Sequence, residues 1–369
     1  MAISAFSVSR RLFIGASLAL GIDPALARPR PGGARLIAGT YASEGGPGLA
    51  LLHAERDGWR AGNVLRSIRN ASFGVRSSRL GVRYLLDEQP QGGLGIYDRG
   101  LRQLARFSTH GADPCHAALS PDGRMLAVAN YTSGSVALWQ LDARTGLPTG
   151  EARRIEHRGS GPNRERQAGP HAHWVGFAAE GRHLHAVDLG ADAIFLHHVT
   201  LGTRDIAESS IAYQAEPGSG PRHLARHPRL PIAYLVAELA NTVTILVAEP
   251  DGRFTAKATV ATLPAGFAGE SAAAHIALNR TGTRLYVSNR GHDSIAVFAV
   301  ASDGTLTPIQ HAACGGHWPR LFLPDEARGE MLVANERSGN VARLRLQADG
   351  RLAPAERGVA LPGVVFLAR

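Results

Sequence analysis

The sequence predicts an all-β fold, a seven-bladed β-propeller, and three observations predict it. One phrase recurs along the chain: a β-rich run ending in a polar residue, a short polar turn, then a second alternating run. The residues that close the first run in successive copies, Asp87, Asn130, Asp188, Ala237, Asn289 and Asn335, stand 43, 58, 49, 52 and 46 residues apart, about one four-stranded blade per step. Helical periodicity is nearly absent after the first 27 residues.

The copies in order are ARLIAGTYASEGGPGLALLH (34–53), RYLLDEQPQGGLGIYD (83–98), RMLAVANYTSGSVALWQL (124–141), RHLHAVDLGADAIFLHHV (182–199), IAYLVAELANTVTILVA (232–248), RLYVSNRGHDSIAVFAV (284–300) and EMLVANERSGNVARLRL (330–346). Turn signals such as Ser120-Pro121-Asp122-Gly123 and Arg280-Thr281-Gly282 precede several of them, which makes each copy a hairpin-centred sheet. A four-stranded blade cannot bury both faces alone, so neighbours stack around an axis. The C-terminal run GVVFLAR (363–369) supplies a spare strand to complete the ring beside the first copy. No linker interrupts residues 34–369, which read as one propeller domain.

The N-terminus differs. SRRLFIGASLALGIDPALA (9–27) joins an arginine pair to a short apolar region and ends in Ala25-Leu26-Ala27, the pattern of a twin-arginine-type signal peptide over residues 1–27. This predicts a periplasmic protein beginning near Arg28, without stable membrane insertion after cleavage, since the apolar region is too short to span and Asp23-Pro24 interrupts it. The net charge of +9 becomes +8 without that segment, because Arg10, Arg11 and Asp23 sum to +1. The basic residues form no block, which argues against nucleic acid and for a cleft that attracts anionic or electron-rich small molecules. Cys115 and Cys314, the only cysteines, make no disulfide framework and no CxxC zinc motif, and read as two independent buried thiols.

Equivalent positions of each blade emerge on the same face of a propeller, so register predicts convergence. The position after the strand end holds Glu88, Tyr131, Leu189, Glu238, Arg290 and Glu336, where a structural turn favours Gly, Asn or Ser. A second register lies upstream of each turn: Pro114-Cys115-His116, Pro170-His171-Ala172-His173, Pro221-Arg222-His223, Ala274-His275 and Pro319-Arg320. His171 and His173 are two apart in an expected strand and on that basis both face the axis. A zinc reading of this pair needs a third ligand, Glu238 or His275, and no metal or cofactor is expected. His183, His185, His197 and His198 read as packed or solvated strand residues.

Through GTY (39–41), PCHAALSPDGR (114–124), VANYTSGSV (128–136), GPNRERQAGPHAH (161–173), GSGPRHLARHP (218–228), SNRGHDSIAVF (288–298) and GGHWPR (315–320), the sequence resembles the seven-bladed propeller lactonases, the family of bacterial 6-phosphogluconolactonase and a fungal carboxymuconate cyclase. The motifs lie in order over nearly all of residues 34–369. The resemblance implies a carboxylic-ester hydrolase acting on a small-molecule sugar lactone, 6-phosphogluconolactone-like or an unphosphorylated aldonolactone, with a catalytic set of His171 or His173, Arg222, Glu238 and Arg290. His116, Asn130, Asp188, His223, His275, Asn289, Arg320 and Glu336 are the expected substrate contacts. Two departures bear on those contacts: His275 stands where the family often has an acid, and Ala237 replaces an amide before Glu238. No GxSxG nucleophile elbow is present, which favours water activated by Glu238 or a histidine over an acyl-enzyme, with Arg222 and Arg290 on the carbonyl oxygen or an anionic substituent. The alternatives are a lactone-forming cyclase and a non-enzymatic binding module.

Overall fold

Period-two alternation needs one wet face, and the middle strands of each repeat lack it. Met125–Asn130 and Ile232–Ala237 are buried at every position, whereas Phe254–Ala261 is exposed at most. Such strands fold only when sandwiched, and the computed structural model, which describes residues 35–200, 205–354 and 358–369, provides that by stacking seven antiparallel sheets in a ring. The predicted signal segment 1–27 lies outside the described residues. A three-residue 3₁₀ turn, Ala42–Glu44, is the only helical element among the described residues.

Each blade runs from an inner strand outward. The inner strands of the second to seventh blades are Gly74–Arg76, Pro114–Leu119, Ala172–Phe177, Pro221–Arg226, Ala272–Leu278 and Pro319–Asp325. The inner strand of the first blade is the C-terminal Val364–Ala368, which pairs antiparallel with Arg35–Thr40 as the spare-strand argument expects. Closure is reinforced where Trp59 of the first blade donates its indole N–H to Glu330 of the seventh at 2.8 Å.

Apolar clusters bridge adjacent blades: Tyr84, Leu86, Leu94 and Ile96 of the second blade pack on Ala117, Leu126, Val128 and Trp139 of the third. A tether recurs with them. The fully buried Tyr84, Tyr234 and Tyr286 each reach the next blade and donate to Gly146 O, Gly304 O and Gly350 O at 2.6, 2.9 and 2.9 Å. Those glycines turn at φ of 74–83°, in the left-handed region that a side chain strains.

A second recurring lock sits where each second strand ends. Asn130, Asn289 and Asn335 donate from Nδ2 to Thr109 O, Thr262 O and Cys314 O, each just past the outer strand of the preceding blade. Asp188 does the same in the fourth blade, accepting from His157 Nδ1 at 2.7 Å. Both cysteines are free and buried.

Candidate active site

The inner strands share one irregularity. Pro114 faces Asn130 while His116 faces Ala129, so Cys115 is an extra residue in the pair. His173, Arg222, Arg320 and Val365 are extra at the same point of their blades, and in the sixth blade the shift spans Ala274 and His275. In the second blade Leu86 bonds Phe73 O and Glu88 bonds Asn70 O, which leaves Ser72 as the surplus residue. A bulge bends its strand and re-aims the extra side chain. Here the side chains converge: Ser72, Cys115, His173, Arg222, Arg320 and Val365 line one central cavity of about 20 Å³ together with Glu88.

This register separates the two histidines. Ala172 faces Asp188 as Pro114 faces Asn130, so His173 takes the position of Arg222 and His171 lies one residue before the strand. The expectation that both face the axis fails because the bulge breaks the alternation it rests on. His171 instead stacks on Tyr131, with ring centroids 4.6 Å apart, and its backbone N–H donates to Asp188 Oδ1.

Above the bulged residues lies the ring that follows the strand ends, Tyr41, Glu88, Tyr131, Leu189, Glu238, Arg290 and Glu336. On the wall of the fourth to sixth blades, Glu238 Oε2 accepts from Arg222 Nε at 2.9 Å and pairs with Arg290 Nη2 at 2.8 Å, while Oε1 accepts from Arg166 Nη2 at 2.7 Å. Burial works to raise the Glu238 carboxyl, but Arg290 and Arg222 outweigh it and hold it well below the ordinary carboxylate range. Burial and the neighbouring Arg290 bring Arg222 down to about 10, still cationic at neutral pH. The facing wall, from the seventh, first and second blades, centres on Arg320, which donates to Tyr41 OH at 2.6 Å and to Glu336 at 3.4 Å, with Glu88 3.9 Å away.

Beneath the bulged residues the next position of each inner strand forms a floor. His116 packs on Phe73 at 4.2 Å and on His223 at 5.3 Å, and His223 on His275 at 5.6 Å. Arg222 Nη1 donates to His223 Nε2 at 3.2 Å, so the His223 proton sits on Nδ1 and points to His275 Nδ1 at 3.3 Å. Burial pushes His116, His173 and His223 well below their ordinary value and His275 down to about 3, so all four are neutral.

The expected site residues thus divide. His173, Arg222, Glu238 and Arg290 meet at one wall, Arg320 and Glu336 stand opposite, and His116, His223 and His275 lie in the floor. Asn130, Asp188 and Asn289 do not join them: they are fully buried in the blade-to-blade locks, so their reading as substrate contacts is replaced by a structural one. Arg290 pairs with Glu238 across blades. Sequence reasoning missed Arg166, which reaches in from the loop before the fourth blade, and Tyr41, whose GTY motif ends the first copy of the strand-end register. Cys115, read only as a buried thiol, lies with Sγ 3.6 Å from His173 Nδ1. No group of three or more His, Cys, Asp or Glu suited to a metal ion occurs among the described residues, and no helix there is long and apolar enough to cross a membrane.

Comparison with known proteins bears directly on this arrangement. The profile of the family described as "Lactonase, 7-bladed beta-propeller" matches residues 35–368. The chain belongs to the seven-bladed β-propeller lactonase family. It is 32% identical over 338 residues to the 6-phosphogluconolactonase of Bacillus subtilis strain 168, covering 88% of this chain and 95% of that relative. Among solved structures it is similar to the periplasmic gluconolactonase of Pseudomonas aeruginosa, at a TM-score of 0.82 and 28% identity over 90% of this chain and 98% of that one. A protein from Lactobacillus plantarum matches equally well, with a TM-score of 0.82, 28% identity and coverage of 91% and 98%. The lactonase relatives support lactone hydrolysis as the general activity of this site.

Proposed function

We propose that this lactonase opens a sugar lactone with water at the central mouth, His173 accepting the proton and Arg222 holding the carbonyl oxygen. The observation that carries the reading is the convergence of the bulged residues His173 and Arg222 on one cavity beside the Arg222–Glu238–Arg290 cluster. Burial and the adjacent Arg222 keep His173 neutral, and a neutral imidazole has one ring nitrogen that can accept a proton. The hydrogen bonds of Arg222 use Nε and Nη1, which leaves Nη2 for a developing oxyanion among the described residues. Glu238, held by three guanidinium groups, orients Arg222 and Arg290 rather than taking a proton. Water then adds to the carbonyl carbon as His173 removes its proton, the ring C–O bond breaks, and the departing alkoxide recovers that proton to give a hydroxy acid.

For the substrate, we propose an unphosphorylated aldonolactone met in the periplasm. The similarity to a periplasmic gluconolactonase and the twin-arginine pattern at 9–27 support this. A pH-stat measures acid release by the purified protein from D-glucono-δ-lactone and from its 6-phosphate, each above spontaneous hydrolysis. Faster hydrolysis of the unphosphorylated lactone is expected. Acceleration of neither rejects the sugar-lactonase reading, and a preference for the phosphate rejects the substrate assignment.

A further inference from the structure

Between the fourth and fifth blades the tether is not a tyrosine. Tyr84, Tyr234 and Tyr286 each stand three residues before their strand end and donate to a turn glycine of the next blade. In the fourth blade that position is His185, which donates from Nε2 to Gly252 O at 2.6 Å. Its Nδ1 is therefore an acceptor, and Arg226 Nη2 donates to it at 2.8 Å. Arg226 faces Ala233 at the end of its inner strand, where the third, fourth and sixth blades place Leu119, Phe177 and Leu278. A guanidinium thus occupies a point that is apolar in those blades.

That cation lacks a counter-charge. The bond to His185 is its only hydrogen bond among the described residues, and its Nε is buried without a partner. It borders a cavity of about 320 Å³ between the two blades. Arg222 begins the inner strand at the mouth and Arg226 ends it, so the cavity opens on the opposite face of the disc. The other ionisable groups around it are engaged: His183 with Glu180 at 3.0 Å, His227 with Gly282 O at 3.1 Å, Glu249 with Thr255 at 3.3 Å and Arg253 with Asp251 at 3.8 Å. Burial lowers Arg226 from its ordinary value, and Glu180 opposes this while its Oε1 is held by His183. Buried charges are ordinarily paired, and a bound anion would supply the missing partner. The remaining walls include Leu230, Ile232 and Phe254, with the Phe254 ring 5.5 Å from the guanidinium centre. Inorganic phosphate would leave those walls uncovered, whereas a carboxylate on an apolar body satisfies both the fork and the walls.

We propose that Arg226 and the cavity between the fourth and fifth blades form a second ligand site, remote from the mouth, for a small organic carboxylate with an apolar body. The carboxylate lies on the Arg226 guanidinium and the body fills the space between Leu230, Ile232 and Phe254. The site is independent of the chemistry assigned to the mouth, since no residue of it lines the central cavity.

The test is isothermal titration calorimetry of the purified full-length protein with sodium benzoate and, separately, sodium phosphate. Wild type, Arg226→Gln and Arg222→Lys are compared, with folding checked by circular dichroism. Benzoate is expected to bind the wild-type protein more tightly than phosphate does. Losing a charge-assisted hydrogen bond corresponds to roughly 10- to 100-fold, so benzoate affinity should fall by that factor in Arg226→Gln. It should persist in Arg222→Lys, whose altered side chain lies in the mouth. Should Arg226→Gln fail to fold, Ala248→Trp fills the same cavity while leaving the guanidinium in place, and it should abolish binding. No binding of millimolar benzoate to the wild-type protein overturns the site. So does an affinity that falls only in Arg222→Lys, or one that survives Arg226→Gln or Ala248→Trp. Tighter binding of phosphate than of benzoate overturns the ligand class.

Discussion

Replacing Glu238 by Gln removes one negative charge from among three guanidinium groups while keeping the size of the side chain. Arg222 and Arg290 are 3% and 7% exposed, so two buried cations lose their counter-charge. Arg166, at 39% exposure, is screened by water and adds little. Removing one partner from a buried pair costs about 3–5 kcal/mol, because the stranded charge has no compensation. An unfolding entropy of roughly 2.1 cal/mol/K per residue gives about 0.7 kcal/mol/K for a propeller of this size, so Tm falls by about 4–7 °C at pH 7. Acid reads the same charge independently. The folded carboxyl lies below its unfolded value near 4.5, so its stabilisation is complete above that pH and is lost as pH falls through the folded value. The variant lacks the group, and the gap between the two melting temperatures should close on acidification. Thermal melts by circular dichroism at pH 7 and in steps below pH 4.5 measure both effects. Equal melting temperatures at pH 7, or a gap that widens in acid, refute the reasoning.

Three further outcomes follow from the same geometry. In lactone hydrolysis, His173→Gln should lose at least about tenfold more kcat/KM than His171→Gln, since only His173 lines the cavity; steady-state rates of the two variants decide it. The neutral floor histidines bind fewer protons when folded than when unfolded. Stability should therefore drop as pH falls below about 6.5, by roughly 1.4 kcal/mol per pH unit for each such group, as urea titrations across pH 7 to 5 will show. Cys115 and Cys314, 7% and 0% exposed with thiols raised by burial, should resist a chromogenic disulfide reagent in the native protein and both react in denaturant.

The ring was legible because its causes are local and repeated. Strand-end residues at blade-length intervals and an orphan strand at 363–369 leave few closed arrangements, and the pairing of Val364–Ala368 with Arg35–Thr40 is the one they imply. Half of the mouth was legible for the same reason, since Glu238 and Arg290 follow their strand ends in register. The bulges were not. An extra residue changes no composition and no periodicity over a six-residue strand, yet it reverses which side chain faces the axis. That is why His171 and His173 remained a pair until Ala172 was found opposite Asp188. Asn130, Asp188 and Asn289 misled for a related reason: a polar residue closing a buried strand has either a ligand or a neighbouring backbone to satisfy, and only the ring shows Thr109 O, His157 and Thr262 O within reach. Arg166 belongs to an irregular loop, where register arguments have no purchase. His185 and His197 are packed as expected, each 1% exposed.

Arg222 joins every part of the site: the Glu238 cluster, the floor through His223, and the cavity. The most direct measurement is therefore the rate at which the wild-type protein and Arg222→Lys open D-glucono-δ-lactone, each corrected for spontaneous hydrolysis and for its folded fraction. The account predicts clear acceleration by the wild-type protein and a loss of roughly 100-fold or more in the variant, because a lysine cannot hold Glu238, His223 and the oxyanion at once. A variant that turns over the lactone at the wild-type rate contradicts it.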